Sequence, residues 1–382
     1  MIKTMSAYTF EIDDAAMAVS EILAQLDVEH RLCAHAVGLM TCYDEFIETG
    51  VTKAISDALP FNIIGCSTMA NASAGELGEM LLCLTVLTSD EVLFSAGVTQ
   101  SLTEIQDAPL LAAYQAAREA LPGEPAMMLL CGPVINQLGG ELLVEKLDAI
   151  SGGIPLFGTL GSNHRTDFIR SYTIFNGQSH NDTLAFALVY GPIHPSFFVT
   201  TIPGEKIQHQ KAIITKAAGN ILMEIDHMPV QAYLEHLGLM DAWVTSVSFP
   251  FLIDYNDGTK PVLRSIYTFT PEGYAVCGGR MPIGTTLMLG DIDYADVVYT
   301  TGETVKQILQ VPDRSCILMF SCLTRYVVLG PEPAAEMEQV RSSIHDRAYH
   351  FCYSGGEICP VYNENGRLVN RFHNCTLIAC VL

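Results

Sequence analysis

The chain has 382 residues, 49% of them apolar and 16% charged, with 42 acidic against 20 basic side chains and a net charge of −22. That length exceeds what one hydrophobic core usually serves and predicts two domains, and the composition excludes a disordered chain. The acidity excludes nucleic acid and anionic membrane surfaces as partners, because both are held by basic patches, and no apolar run approaches the roughly 18 residues of a membrane helix, so no membrane insertion is expected.

In chain order, Asp13 and Asp14 precede Val19, Ile22, Leu23 and Leu26, a helical spacing over 12–26 whose acidic start suits the positive end of a helix. Residues 32–40 read as a buried strand, 44–59 as a helix with Ile47, Val51, Ile55 and Leu59 on one face, and 61–64 as a strand ending in Gly65-Cys66-Ser67-Thr68. Strand, helix and strand with a short return form a βαβ unit with parallel strands. Residues 81–87 and 92–98 are β-rich and predict a hairpin across Thr88-Ser89-Asp90. A second unit follows: a helix at 107–121, a strand at 127–131, a helix marked by Leu138, Leu143, Leu147 and Ile150, and a strand running into Gly158-Thr159-Leu160-Gly161-Ser162-Asn163. The two glycine-and-hydroxyl strand ends suggest a weak internal repeat, and glycine there lets a ligand approach the backbone.

From 172 the texture changes to strands at 172–175, 183–190, 197–202 and 211–216, with Asn176-Gly177 as a strong hairpin signal. A helix starts at Pro229, and a domain boundary is expected near 226, giving domains 1–225 and 226–382. The second domain carries strands near 265–269, 274–276 and 285–289 and a helix at 292–309. Last come the strand 316–320 ending in Ser321-Cys322, an acidic helix at 332–345, Ser354-Gly355-Gly356-Glu357, and Phe372-His373-Asn374-Cys375-Thr376. The expected fold is α/β and two-domain, with mixed, partly parallel sheets and flanking helices.

The opening residues lack the charged, apolar and small-residue succession of a secretory signal, so a cytoplasmic chain with its 12 cysteines reduced is expected. There is no CxxC, the spacings of Cys316 to Cys322 and Cys352 to Cys359 match no zinc pattern, and His35, His164, His180, His194 and His209 form no HxxxH pair, so no metal is expected. Phosphate-binding glycine motifs are absent and no cofactor is expected.

Gly65-Cys66-Ser67-Thr68, Gly158 to Asn163 with the Asn176-Gly177 turn, Gly219-Asn220, Glu224-Ile225-Asp226, Pro229 to Tyr233, Pro282-Ile283-Gly284, Phe320-Ser321-Cys322 with Arg325, Gly356-Glu357 and His373 to Thr376 together resemble, in order and spacing, the FIST family of paired FIST-N and FIST-C domains. The resemblance covers most of the chain. It implies an intracellular sensory module that binds a small ligand, suggested to be an amino acid or relative, and passes a signal to a separate output protein such as a kinase, a cyclase or a chemoreceptor component.

The residues fit such a ligand. A guanidinium at Arg325 can hold a carboxylate bidentately and a carboxylate at Glu357 an ammonium. The expected site lies in a cleft between the domains, lined by Cys66, Ser67, Thr68, Gly161, Ser162, Asn163, Cys322, Arg325, Gly356, Glu357 and Asn374, with no catalytic residue. The alternative is a cysteine-dependent acyl-transfer or hydrolytic enzyme using Cys322 or Cys66, with His373 as base and Asn374 as its orienter. Adjacent positions on a strand point to opposite faces, which tells against the His373–Asn374 pairing.

Overall fold

The computed structural model describes residues 1–102, 107–134, 139–163, 171–239, 248–312, 315–344 and 347–382; Leu138 and His164 lie outside them. The chain opens with β1 (Lys3–Thr9), α1 (Ala15–Leu26), α2 (Val28–Arg31), β2 (His35–Cys42), α3 (Glu45–Glu48), α4 (Val51–Asp57), β3 (Asn62–Ser67), β4 (Asn71–Ser73), β5 (Glu76–Gly78) and β6 (Leu82–Ser89). Asp14 caps α1 by accepting from the Met17 amide at 2.9 Å, and Ala18, Ile22 and Leu26 form its buried stripe. The helix expected at 44–59 is two short helices, because Gly50 between them takes φ 82°.

A second passage repeats this order: β7 (Leu93–Val98), α5 (Asp107–Glu119), β8 (Met127–Gly132), α6 (Gly139–Ser151), β9 (Leu156–Leu160), β10 (Thr173–Phe175), β11 (Gln178–His180) and β12 (Ala185–Tyr190). The third starts with β13 (Ser196–Val199) and is then interrupted. Within the interruption lie β14 (Ala212–Ala218), β15 (Ile221–Ile225), β16 (Met228–Pro229), α7 (Val230–His236), β17 (Phe251–Asp254), β18 (Val262–Arg264), β19 (Ile266–Phe269), β20 (Ala275–Cys277) and β21 (Thr286–Leu289). The third passage resumes with α8 (Tyr294–Ile308), β22 (Ile317–Cys322), α9 (Leu323–Val328), α10 (Ala335–Ser343), β23 (Tyr349–Ser354), β24 (Gly356–Tyr362), β25 (Leu368–His373) and β26 (Leu377–Val381).

The sheets turn this succession into a threefold plan. Their strand orders are β1-β6-β2-β3-β10-β11, β7-β12-β8-β9-β24-β25 and β13-β26-β22-β23-β4-β5. Each has one parallel pair in its middle (β2 with β3, β8 with β9, β22 with β23) and antiparallel neighbours on both sides. In every case the last two strands are a hairpin lent by a different passage. β4–β5 of the first completes the third sheet, β10–β11 of the second completes the first, and β24–β25 of the third completes the second.

The inner faces of the three sheets share one core, which includes Leu39 and Cys66, Leu129 and Cys131, and Leu318, Phe320 and Cys352. Outside, α1 and α4 cover the first sheet, α5 and α6 the second, and α8 and α10 the third. The expected hairpin across Thr88-Ser89-Asp90 does not form. All eight residues of β6 are buried, so it takes an interior place between β1 and β2, while β7 leaves for the edge of the second sheet. The Asn176-Gly177 hairpin does form, with positive φ at both residues as its turn requires. Strands β14 to β21 make a fourth, wholly antiparallel sheet inserted between β13 and α8.

Candidate functional site

The three middle strands β3, β9 and β23 end side by side. The Ser162 amide donates to the Ser67 carbonyl at 3.0 Å, and the Thr68 hydroxyl donates to the Tyr353 carbonyl at 2.6 Å. The Ser67 hydroxyl accepts from the Tyr172 amide at 2.8 Å, and the Ser162 hydroxyl accepts from the Met69 amide at 3.3 Å. A Cβ on Gly355 would stand 2.6 Å from the Gly161 carbonyl oxygen, so only glycine permits that approach. Ser67, Thr68, Ser162 and Asn163 are all buried, and Cys66 lies in the shared core together with Cys131. These strand ends are thus brought together, and their polar groups bond mainly to one another's backbone.

A second cluster lies one residue further on, where β24, the ends of β22 and β25, and the fourth sheet meet. Glu357 is fully buried on β24 opposite Thr159 and His373. Its Oε2 accepts from the Thr376 hydroxyl at 3.0 Å, and its Oε1 has no hydrogen-bond partner among the described residues. Burial pushes its carboxyl well above the ordinary range; the Thr376 and Ser354 hydroxyls, the Cys322 thiol and the Arg325 charge only partly offset that. Asn374 is fully buried too. Its Nδ2 donates to the Tyr267 hydroxyl at 3.2 Å, while its Oδ1 has no partner among the described residues. Such unmet buried acceptors cost roughly 1–3 kcal/mol each.

Around them stand two thiols. The Cys322 Sγ donates to the Thr324 hydroxyl at 3.5 Å, and the Cys375 Sγ lies 2.9 Å from the Ser265 hydroxyl. Burial, then Glu357 and then Cys375, push the Cys322 thiol well above its usual range. A thiol so held is mostly protonated and is not an activated nucleophile. His373 does not hydrogen-bond to it: its Nε2–H donates to the Cys359 carbonyl at 2.9 Å, and burial, the largest effect, lowers its pKa to about 3. Cys375 has φ 55°, a left-handed conformation uncommon for a side-chain-bearing residue.

Arg325 faces elsewhere. Its guanidinium is fully buried and donates to Glu336 at 2.8 and 3.0 Å, to the Thr301 hydroxyl at 2.8 Å and to the Val297 carbonyl at 3.1 Å. Glu336 also accepts from Ser321 at 2.8 Å, so the pair ties α8, α9 and α10 to the end of β22. The expected bidentate carboxylate partner of Arg325 is therefore a side chain of the fold itself.

The sequence reading left out the contribution of the fourth sheet. Ser265 and Tyr267 come from its β18–β19 corner, and Gly278 lies so close that a Cβ there would meet Asn374 Oδ1 at 2.4 Å. Buried Arg264 pairs with Glu141 at 3.2 Å and donates to the Phe372 carbonyl at 2.9 Å, which fixes the approach to Asn374. The Gly278-Gly279 doublet was a readable signal of the same kind as Gly355-Gly356; Tyr267 and Arg264 carried none.

No group of three or more His, Cys, Asp or Glu side chains among the described residues is arranged to hold a metal, and no helix among them is long and apolar enough to cross a membrane. Residues 36–228 match the FIST N domain and residues 229–360 the FIST C domain. A search of curated proteins finds no match. The boundary between the two matches falls inside β16, and hence inside the fourth sheet.

Proposed function

Because the chain belongs to the FIST family, whose domains are sensory domains of signal transduction suggested to bind small ligands, we propose that it binds a small molecule with a protonated amine, an amino acid or derivative, at the Glu357–Asn374 cluster. The observation that carries this reading is the pair of buried acceptors without donors among the described residues, Glu357 Oε1 and Asn374 Oδ1, at the meeting of two sheets of the three-sheet body with the inserted sheet. An ammonium supplies donors to both. Cys322, Gly356 and Glu357 form the near wall of the site. The strand ends Cys66, Ser67, Thr68, Gly161, Ser162 and Asn163 form the frame behind it, and Arg325 acts through Glu336 on the position of Cys322.

Occupancy favours one seating of the inserted sheet, because a ligand shifts an equilibrium only by binding one arrangement better. The signal then passes to a separate output protein, such as a kinase, a cyclase or a chemoreceptor component, in the cytoplasm. The raised pKa of the Cys322 thiol supports a binding role over an acyl-transfer role.

Burial raises the proton affinity of the Glu357 carboxyl and an ammonium beside it lowers that affinity again, so binding releases protons. Calorimetry with a panel of amino acids near pH 7, in two buffers of different ionisation enthalpy, should find a ligand that releases up to one proton. Glu357→Gln should weaken it at least tenfold. A panel without a binder, or a binder indifferent to Glu357→Gln, would overturn the reading.

A further inference from the structure

A separate cleft of about 230 Å³ opens beside this cluster, between β13, the chain entering β18, and β24 with the end of β25. At roughly 30 Å³ for each water's share of liquid volume, it holds some eight waters or one small organic molecule. Phe197, Val199 and Val361 give it apolar walls, and Tyr362, 58% exposed, stands at its mouth. An apolar cavity with a few placed polar groups is the usual form of a small-molecule site.

The polar groups set the sign of the occupant. His373 lines the cleft, but burial keeps its ring neutral, and with Nε2–H donated to the Cys359 carbonyl its other nitrogen is only an acceptor. Thr376 also lines it, with its hydroxyl hydrogen already donated to Glu357. The one charged lining group is Lys260. Lys53, Lys146, Lys206, Lys216 and Lys306 are each held by a carboxylate, whereas exposed Lys260, like Lys3 and Lys211, has no ion pair or hydrogen bond among the described residues, and of these three Lys260 lines the cleft. In a chain of net charge −22, a cleft with a lone unpaired ammonium is a local positive site.

We propose that this cleft is a second binding site, for a small apolar monocarboxylate whose carboxylate meets Lys260 and whose body lies against Phe197, Val199 and Val361. It is distinct from the amine site at Glu357, and Thr376 is the wall between them. Phenylacetate is a suitable probe, with phenethylamine as its charge-reversed control, both followed by calorimetry on the full chain. Phenylacetate should bind saturably, Lys260→Gln should weaken it at least tenfold, and Val361→Trp should abolish it. Glu357→Gln should leave it within twofold, which separates this site from the amine site. Lys260 is exposed, so Lys260→Gln retains the fold and decides the matter even if Val361→Trp does not fold. Absence of saturable binding, equal affinity for phenethylamine, or affinity unchanged by Lys260→Gln would each overturn the proposal.

Discussion

Glu357 is held away from water with one carboxyl oxygen unpartnered among the described residues. With its folded pKa raised, the native state keeps a proton that the unfolded chain gives up near the ordinary glutamate value. Above that value the native state binds more protons than the unfolded one, so this residue's contribution to stability declines as pH rises towards its folded pKa. Glu357→Gln should therefore raise the melting temperature at pH 8 and leave it near wild type at pH 4. The gain is about 1.4 kcal/mol for each tenfold rise in the carboxyl's proton affinity on folding. Melting curves of both proteins across pH 4–8 measure it, and parallel curves would sink the argument. His350 lies between the Thr41 and Thr85 hydroxyls at 2.8 and 3.0 Å, and burial lowers its pKa to about 3. It works with the opposite sign: its neutral ring's contribution is complete above about 6.5 and is lost as pH falls towards 3.

Glycines decide how closely the elements approach. A Cβ on Gly65 of β3 would lie 1.9 Å from the Met40 carbonyl oxygen of β2, and one on Gly158 of β9 would lie 2.1 Å from the Leu130 carbonyl oxygen of β8. The two occupy the same register place in their passages; in the third, Phe351 stands there, opposite Met319. Gly65→Ala should destabilise the chain by about 1–3 kcal/mol, because backbone and not a flexible side chain blocks the new methyl. Urea denaturation checks this, and a midpoint equal to wild type would contradict the stated contact.

Much at this scale was readable in the sequence. Strand ends show as apolar runs stopped by glycine and hydroxyls, and the Asn176-Gly177 turn shows directly. What was not readable is non-local. β6 and β7 look like a hairpin, yet β6 takes a wholly buried place between β1 and β2 and β7 goes to the edge of another sheet, and nothing near Arg325 says that Glu336, eleven residues on, will claim it. Likewise Asn374 reads as a polar strand end, while Tyr267 and Gly278 reach it only through the folding of the inserted sheet.

At the scale of the molecule, the two family segments are not two separate cores. The parallel pair β22–β23 lies on the C-terminal side of residue 228, yet its sheet is completed by β4–β5 and β13 from the N-terminal side. Likewise β9 needs β24. A chain ending at residue 228 leaves β3, β9 and the inner faces of two sheets without their third wall. It should fail to fold stably, with strong dye binding by exposed apolar surface and no cooperative thermal transition. A cooperative transition in that fragment would show that the first two sheets suffice alone.

The exchange of hairpins makes the body a closed circuit of three, in which each unit finishes its predecessor and is finished by its successor. Such a ring has a fixed count. Deleting one unit orphans a pair of strands, and adding a fourth breaks the closure. New material can enter only at a seam, as residues 200–293 do, and a seam visitor touches one of three equivalent corners. The corner it touches is the one with Glu357. The matching places in the other two sheets hold Thr173, opposite Cys66, and Asn71, opposite Cys352. Threefold order thus supplied three starting positions, and a single insertion chose which of them departed from the rest.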